Sequence, residues 1–173
     1  EAHLKTLAMN NASLAITVGD DPGDEVVVLL SANPGSPLLP LTKVASGGEL
    51  ARTMLALRLV LTQAPGTLVF DEVDAGIGGT AAVAVAKSLA DLGQRHQVLV
   101  VTHLAQVAAA AQTQINVTKA VRAKQTFATA SMLSGEDRVA EIARMLSGGV
   151  ARESATEHAR DLLSASGAKK RRP

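Results

Sequence analysis

Apolar residues follow two different periods along this chain, and the period changes near residue 48. Short apolar runs bounded by turn residues are typical of strands. Such runs predict strands at 14–18, 25–31, 67–70 and 97–102. Between them, the spacing of Leu50, Met54, Leu57 and Leu61 predicts an amphipathic helix over 48–63. The alternation of fully apolar strands with helices favours an α/β class with a mostly parallel sheet.

The remaining segments complete this picture. Further helices are predicted at 80–92, 104–111, 136–146 and 151–165, with Gly148–Gly149 closing the third, and a β-hairpin at 115–121 and 126–132. We expect residues 1–12 to be the end of a helix, residues 13–165 to form one lobe, and residues 166–173 to be a disordered basic tail.

Composition narrows the classes of function. The 173 residues carry a net charge of +1 and include no cysteine, no tryptophan, no tyrosine and two phenylalanines. The absence of cysteine excludes a disulfide scaffold, thiolate metal ligands and thiol catalysis. Few aromatic residues argue against a platform on which nucleic-acid bases stack. No apolar run reaches the roughly 18 residues that span a bilayer. The chain starts at Glu1, so we expect it to be a piece of a longer protein.

An acidic pair follows the predicted strand at 67–70. Asp71 and Glu72 come directly after its last residue. At the carboxyl edge of a parallel sheet, such acids can hold the water of a Mg²⁺ ion and polarise an attacking water. Successive residues of a strand point to opposite sides, which would give the two acids different tasks. The alternative, which the dipeptide alone favours, is a solvated acidic loop after a buried strand.

The helix at 48–63 is preceded by small residues. Ser46, Gly47 and Gly48 would present free backbone N–H groups at the positive end of the helix dipole, where a phosphate can bind. The alternative is an ordinary capping box, with Ser46 as the cap and Glu49 three residues later.

A histidine, His103, follows the strand at 97–102 and can reach a phosphate or a water. A structural role is the alternative. The other three histidines, His3, His96 and His158, lie on different elements without ligand spacing, so no histidine metal site is predicted.

The order and spacing of these segments resemble the second half of an ABC-type ATPase head. More specifically, residues 44–52 (VASGGELAR), 70–79 (FDEVDAGIGG) and 101–108 (VTHLAQVA) closely resemble the RecN family, bacterial DNA-repair ATPases of the structural-maintenance-of-chromosomes (SMC) type. Residues 31–35 (SANPG) also look like that family. The resemblance runs from about residue 5 to residue 163, and it implies the fold of a C-terminal head lobe.

The resemblance also implies roles for single residues. Ser46, Gly47 and Gly48 match the signature motif, which caps the γ-phosphate of ATP bound to a facing head. Asp71 matches the Walker B aspartate, which holds Mg²⁺ through water, and Glu72 matches the hydrolytic glutamate. His103 matches the switch histidine. The loop after the acidic pair, residues 74–79, occupies the position of the D-loop of ABC heads. It departs from generic heads, because it ends in Gly78–Gly79 rather than Leu-Asp, and its chemistry stays open.

The phosphate-binding loop itself is missing. No G-x-x-x-x-G-K-[ST] occurs, and the stretch from Gly79 to Lys87–Ser88 has the wrong spacing. The resemblance implies that this loop lies in the protein's own N-terminal lobe, beyond a long coiled coil whose returning end is residues 1–12. It further implies ATP hydrolysis at a composite site between two heads of a homodimer, DNA as a partner in recombinational break repair, a cytoplasmic, nucleoid-associated location and no membrane. We expect the lone lobe to be inactive and to expose an apolar flank.

Three rival interpretations remain. Residues 76–81 fit the dinucleotide fingerprint G-x-G-x-x-[GA], although Asp71, Glu72 and Asp74 would repel a pyrophosphate and no acid follows the next strand. A serine hydrolase is disfavoured, since Val44 replaces the first glycine of G-x-S-x-G. The lobe could instead be a non-catalytic dimerisation or interaction module, with the basic run at 169–172 as a modest, salt-sensitive DNA contact.

Overall fold

A computed structural model describes residues 2–21, 25–43, 47–61, 66–122, 125–149 and 153–165. The chain divides into two compact units, residues 1–102 and 103–173, and each is treated by itself. Ser46, the turn between the hairpin strands and the basic tail at 166–173 lie outside the described residues, as do 62–65 and 150–152.

In the first unit, three consecutive strands are followed by alternating helices and strands. Its elements are α1 (Ala2–Thr6), β1 (Ser13–Val18), β2 (Val26–Ser31), β3 (Leu39–Pro40), a 3₁₀ turn (Leu41–Lys43), α2 (Gly47–Val60), β4 (Thr67–Phe70), α3 (Gly79–Gly93) and β5 (Gln97–Val100). Antiparallel β1, β2 and β3 form one sheet, and parallel β4 and β5 form another.

The described residues of the second unit form a hairpin and three helices. Its elements are α4 (Ala105–Ala110), β6 (Gln114–Arg122), β7 (Gln125–Leu133), α5 (Gly135–Ser147) and α6 (Glu153–Ala165). The predicted hairpin and both C-terminal helices are confirmed, and Gly148 ends α5 with a left-handed φ of 66°.

The predicted α/β class is confirmed, but the share of parallel pairing is smaller than expected. Among the described strands, only β4 and β5 pair in parallel. Strand β1 ends at Val18 and β2 begins at Val26, and so short a connection cannot make the crossover that a parallel pair needs.

Two helices differ from their prediction. Helix α1 ends at Thr6 rather than near residue 12, and Ala8 has a left-handed φ of 61°. Leu7, Met9 and Ala12 are nevertheless buried, because this segment packs into the first unit, where α1 contacts α2 and α3.

Helix α2 ends at Val60 and buries a different face from the predicted stripe. Its buried residues are Gly48, Arg52, Thr53, Leu55 and Ala56. Of the predicted stripe, Met54 and Leu61 are exposed. The helix is apolar on more than one side, so periodicity alone did not identify the inner face.

The parallel pair β4–β5 has one covered face and one bare face. Leu68 and Phe70 are buried in the core of the first unit. Val69 pairs with Leu99 in register on the other face, and these side chains are 67% and 49% exposed. Sheets of parallel strands are normally covered on both faces. The expected apolar flank is therefore present.

The second unit has its own small core. Ala105, Ala108, Ala109, Val139, Ile142, Ala143 and Ala159 pack together at the junction of α4, α5 and α6. Arg138 caps the end of α4, because its Nη2 donates to Ala111 O at 2.6 Å. Burial lowers the pKa of its guanidinium. No helix within the described ranges is long and apolar enough to cross a bilayer.

Candidate functional site

The acidic pair lies at the carboxyl edge of the parallel strands. Phe70 pairs with Val100, the last residue of β5, and the N–H of Val101 donates to Phe70 O at 2.9 Å. Asp71 and Glu72 follow immediately and are exposed. The structure thus places both acids at the edge where the sequence predicted them.

The two acids do not continue the strand. Strand β4 ends at Phe70, and Glu72 adopts a left-handed φ of 55°, which is uncommon for a residue with a side chain. The strand alternation predicted for Asp71 and Glu72 therefore does not apply to them. A left-handed residue costs about 1–3 kcal/mol and persists only where the surroundings enforce it.

The Glu72 carboxylate lies against the first residue of α2. A methyl group built on Gly47 would be 2.8 Å from Glu72 Oε2. Gly47 and Glu72, predicted as separate parts of the site, are thus in contact within this chain. Ser46, their neighbour in the predicted motif, lies outside the described residues.

The second motif glycine packs against the loop after the acids. A methyl group on Gly48 would be 2.9 Å from Ala75 O and 3.1 Å from Arg52 Nη1. Gly48 is buried, so only a glycine allows α2 to approach this loop so closely.

The same loop is attached to the end of β5. Asp74 is 2% exposed, and Thr102 Oγ1 donates to its Oδ2. Ala75 N–H donates to Glu72 O at 3.0 Å and Ile77 N–H to Asp74 O at 3.3 Å, which makes the segment a succession of turns. The loop from Asp71 to Gly78 is also longer than the tight turn of a dinucleotide fingerprint.

The predicted switch residue, His103, directly follows Thr102 in the chain. It is exposed and is the first residue of the second unit. Its predicted role stays a prediction.

A groove of about 480 Å³ runs between α2 and β4, with the acids at one end. It is lined by Gly47, Leu50, Ala51, Met54, Arg58 and residues 67–72. The predicted apolar stripe of α2 thus contributes Leu50 and Met54 to this groove rather than to the core. No three His, Asp or Glu side chains converge on a metal-sized site anywhere in the described ranges.

Sequence reasoning missed the supporting side chains Arg52, Asp74 and Thr102. One signal was available for Arg52, because it follows Gly48 by four residues and precedes Ala56 by four, on the buried face of α2. No local signal links Asp74 to Thr102, which lie 28 residues apart.

Replacing Gly47 or Gly48 by alanine should change the stability of the chain by different amounts. Gly48→Ala drives a methyl group into backbone and should destabilise this chain by about 1–3 kcal/mol. Gly47→Ala meets only the movable end of Glu72 and should change stability by less than about 0.5 kcal/mol. Urea unfolding followed by circular dichroism measures both, and equal losses of stability would contradict the assigned packing.

Comparisons with known proteins give the family. No protein-family model matches the chain. It is 55% identical over 139 residues to DNA repair protein RecN of Deinococcus radiodurans, covering 80% of this chain and 24% of that protein. Identity to RecN of Treponema pallidum is 48% over 151 residues, covering 86% and 26%. Identity to RecN of Streptomyces coelicolor is 44% over 182 residues, covering 94% and 32%.

Solved structures show the fold. The Smc head domain with a coiled coil and joint from Pyrococcus yayanosii matches with a TM-score of 0.59 at 20% identity, covering 82% of this chain and 27% of that one. The Smc head from Pyrococcus furiosus, bound to the C-terminal domain of ScpA, matches with a TM-score of 0.54, covering 75% and 33%. The present chain spans about a quarter to a third of the length of the RecN proteins cited above. It has the α/β fold of part of an SMC-type head. By its sequence it belongs to the RecN family and corresponds to a segment of these longer proteins.

Proposed function

We propose that this chain is the C-terminal lobe of an ATPase head that hydrolyses ATP during recombinational repair of DNA double-strand breaks. One observation carries the proposal. In a chain of 44–55% identity to RecN, the pair Asp71–Glu72 directly follows a strand paired in parallel with β5. Nucleotide hydrolases of this architecture use that edge for metal and water.

Each acid has its own role in the proposal. Asp71 holds Mg²⁺ through water, and Glu72 orients and deprotonates the attacking water. An exposed carboxylate suits Mg²⁺ here, because this ion usually takes one or two carboxylates and completes its shell with water and substrate phosphates. Such a site needs no cluster of acids.

The other predicted residues act on the γ-phosphate. His103 contacts it as the switch histidine. Ser46, Gly47 and Gly48 bind the γ-phosphate of ATP held by a facing head, using N–H groups at the start of α2. The hydrolytic site is then composite, and each head of a homodimer completes the other.

The phosphate-binding loop comes from the protein's own N-terminal lobe in this proposal. Two observations support a second lobe. The sequence contains no G-x-x-x-x-G-K-[ST], and one face of β4–β5 leaves Val69 and Leu99 exposed. A two-stranded sheet with a bare apolar face is rarely stable without further strands or a covering layer.

One observation favours a second candidate, an interaction module without catalysis. The hairpin β6–β7 exposes Ile115, Val117 and Met132 at 58%, 62% and 73%. Exposed apolar faces of this kind mark surfaces that bind other proteins. The next experiment separates this candidate from the ATPase.

Ser46→Arg in the full-length protein should abolish ATP hydrolysis while each head still binds ATP. The arginine blocks the γ-phosphate of the facing head and adds a like charge at the positive end of the α2 dipole. Phosphate release and binding of a fluorescent ATP analogue measure the two effects. The control is Ser164→Arg, at an exposed position near the end of α6, which should leave both unchanged.

Two outcomes would contradict the proposal. Loss of ATP binding by Ser46→Arg would place Ser46 in the pocket of its own head rather than in a composite site. Wild-type protein that binds partners but releases no phosphate would favour the interaction module.

A further inference from the structure

We propose that Arg52 is a positioning residue that fixes the loop after the acidic pair to the first turn of α2. The inference rests on the proposed function, because its consequence is for the position of Glu72, the proposed base. The proposed hydrolysis gives no role to Arg52, and the inference supplies one for this buried cation.

Arg52 is more deeply buried than an ordinary cation. The residue is 6% exposed and lies on the inner face of α2 beside Leu55 and Ala56. Its Nη1 donates to Ala75 O at 2.8 Å, which joins the helix to the loop. Its Nε is buried and finds no hydrogen-bond partner among the described residues.

Such an arrangement is poor for stability alone. Burial lowers the pKa of the Arg52 guanidinium, and nearby Glu49 offsets only part of that effect. The group still carries its charge at neutral pH. A buried charge with an unsatisfied N–H costs free energy, and a well-packed apolar side chain of similar volume often stabilises more. Its presence therefore calls for a reason other than folding stability.

The loop that Arg52 reaches is anchored on a second side. Val73 is fully buried, and Asp74 accepts a hydrogen bond from Thr102 at the end of β5. Ala75 N–H in turn donates to Glu72 O at 3.0 Å. Arg52 thus acts on the residue that is bonded to the backbone of Glu72, and it does so from the helix that carries Gly48.

Two consequences follow from this connection. It fixes the position from which the Glu72 carboxylate reaches the attacking water, and it supports the left-handed backbone of Glu72. Because a displacement near 1 Å can lower a rate by about 10²-fold, small movements of this loop matter. Arg52 itself touches no reacting atom in this account.

The test compares three variants of the full-length protein, Arg52→Met, Arg52→Lys and the control Arg95→Met. Methionine keeps an unbranched chain but cannot donate to Ala75 O, lysine can make one such bond, and Arg95 is exposed at the end of α3. We expect Arg52→Met to lower kcat for ATP by about 10- to 100-fold, with KM changed by less than about twofold. Arg52→Lys should recover part of kcat, and Arg95→Met should match the wild type.

A second readout needs no nucleotide. Hydrogen exchange at the amides of residues 73–77 should be faster in Arg52→Met than in the wild type, intermediate in Arg52→Lys and unchanged in Arg95→Met. Amides within α3 should keep their exchange rates in all four proteins, because the loop opens locally.

Each result decides the inference. Unchanged kcat in a folded Arg52→Met protein would overturn it, as would a fall in kcat that the thermal stability of the variant fully accounts for. Failure of the proposed function is distinguishable, because the wild-type protein would then release no phosphate. In that case faster loop exchange in Arg52→Met would still support the connection, and unchanged exchange would overturn it.

Discussion

Glu72→Gln in the full-length protein should reduce ATP hydrolysis by about 10²- to 10⁴-fold, the usual cost of losing a general base. Glutamine keeps the shape of the side chain but accepts no proton from water. The phosphate-binding groups are unaffected, so ATP should bind as before and ATP-bound head dimers should accumulate. Single-turnover phosphate release and size-exclusion chromatography with ATP measure these effects.

A matched control is available in the second unit. Glu157→Gln makes the same chemical change at an exposed position of α6 and should leave hydrolysis at the wild-type rate. Hydrolysis by Glu72→Gln at a near wild-type rate would show that another group activates the water. Since Glu72 also lies against Gly47, the urea midpoint of the variant should be compared with that of the wild type.

The second large effect concerns the chain on its own. The isolated 173 residues should be folded yet release no phosphate from ATP, because the sequence holds no phosphate-binding loop. Mixing the chain with the matching N-terminal lobe should restore Mg²⁺-dependent hydrolysis. The measurement is phosphate release from the chain, from the N-terminal lobe and from the mixture.

A substitution on the bare face of β4–β5 tests whether the second lobe packs there. Val69→Lys places a charge where the second lobe is proposed to pack and should weaken reassociation of the lobes. Val83→Lys makes the same change at a 54% exposed position of α3 and should not. Robust phosphate release from the chain alone, insensitive to Glu72→Gln, would point to a different site and refute the composite one.

Local signals in the sequence determined much of this protein. Turn residues and apolar runs predicted every strand of the first unit except the two-residue β3. The location of Asp71 and Glu72 at the edge of the sheet was predictable, because they follow a strand and parallel strands bring their carboxyl ends to one edge. The family resemblance also came from local motifs, and the comparison with RecN proteins confirms it.

Only the tertiary structure decided which surfaces are inside. Helix α2 carries apolar residues on several sides, so its period predicted a helix but gave the wrong inner face, with Arg52 buried and Met54 exposed. Likewise, the apolar run of β4 does not show which of its sides faces the core, and only the structure places Leu68 and Phe70 inside and Val69 outside.

The connections around the site were also beyond the sequence. Arg52 bonds to a residue 23 positions away, and Thr102 bonds to one 28 positions away. Hydrophobic periodicity reports one element at a time, whereas such contacts depend on how the chain returns to itself. The left-handed backbone of Glu72 is likewise a feature that no local sequence signal predicts, because residues with side chains rarely adopt this conformation unless the surrounding structure enforces it.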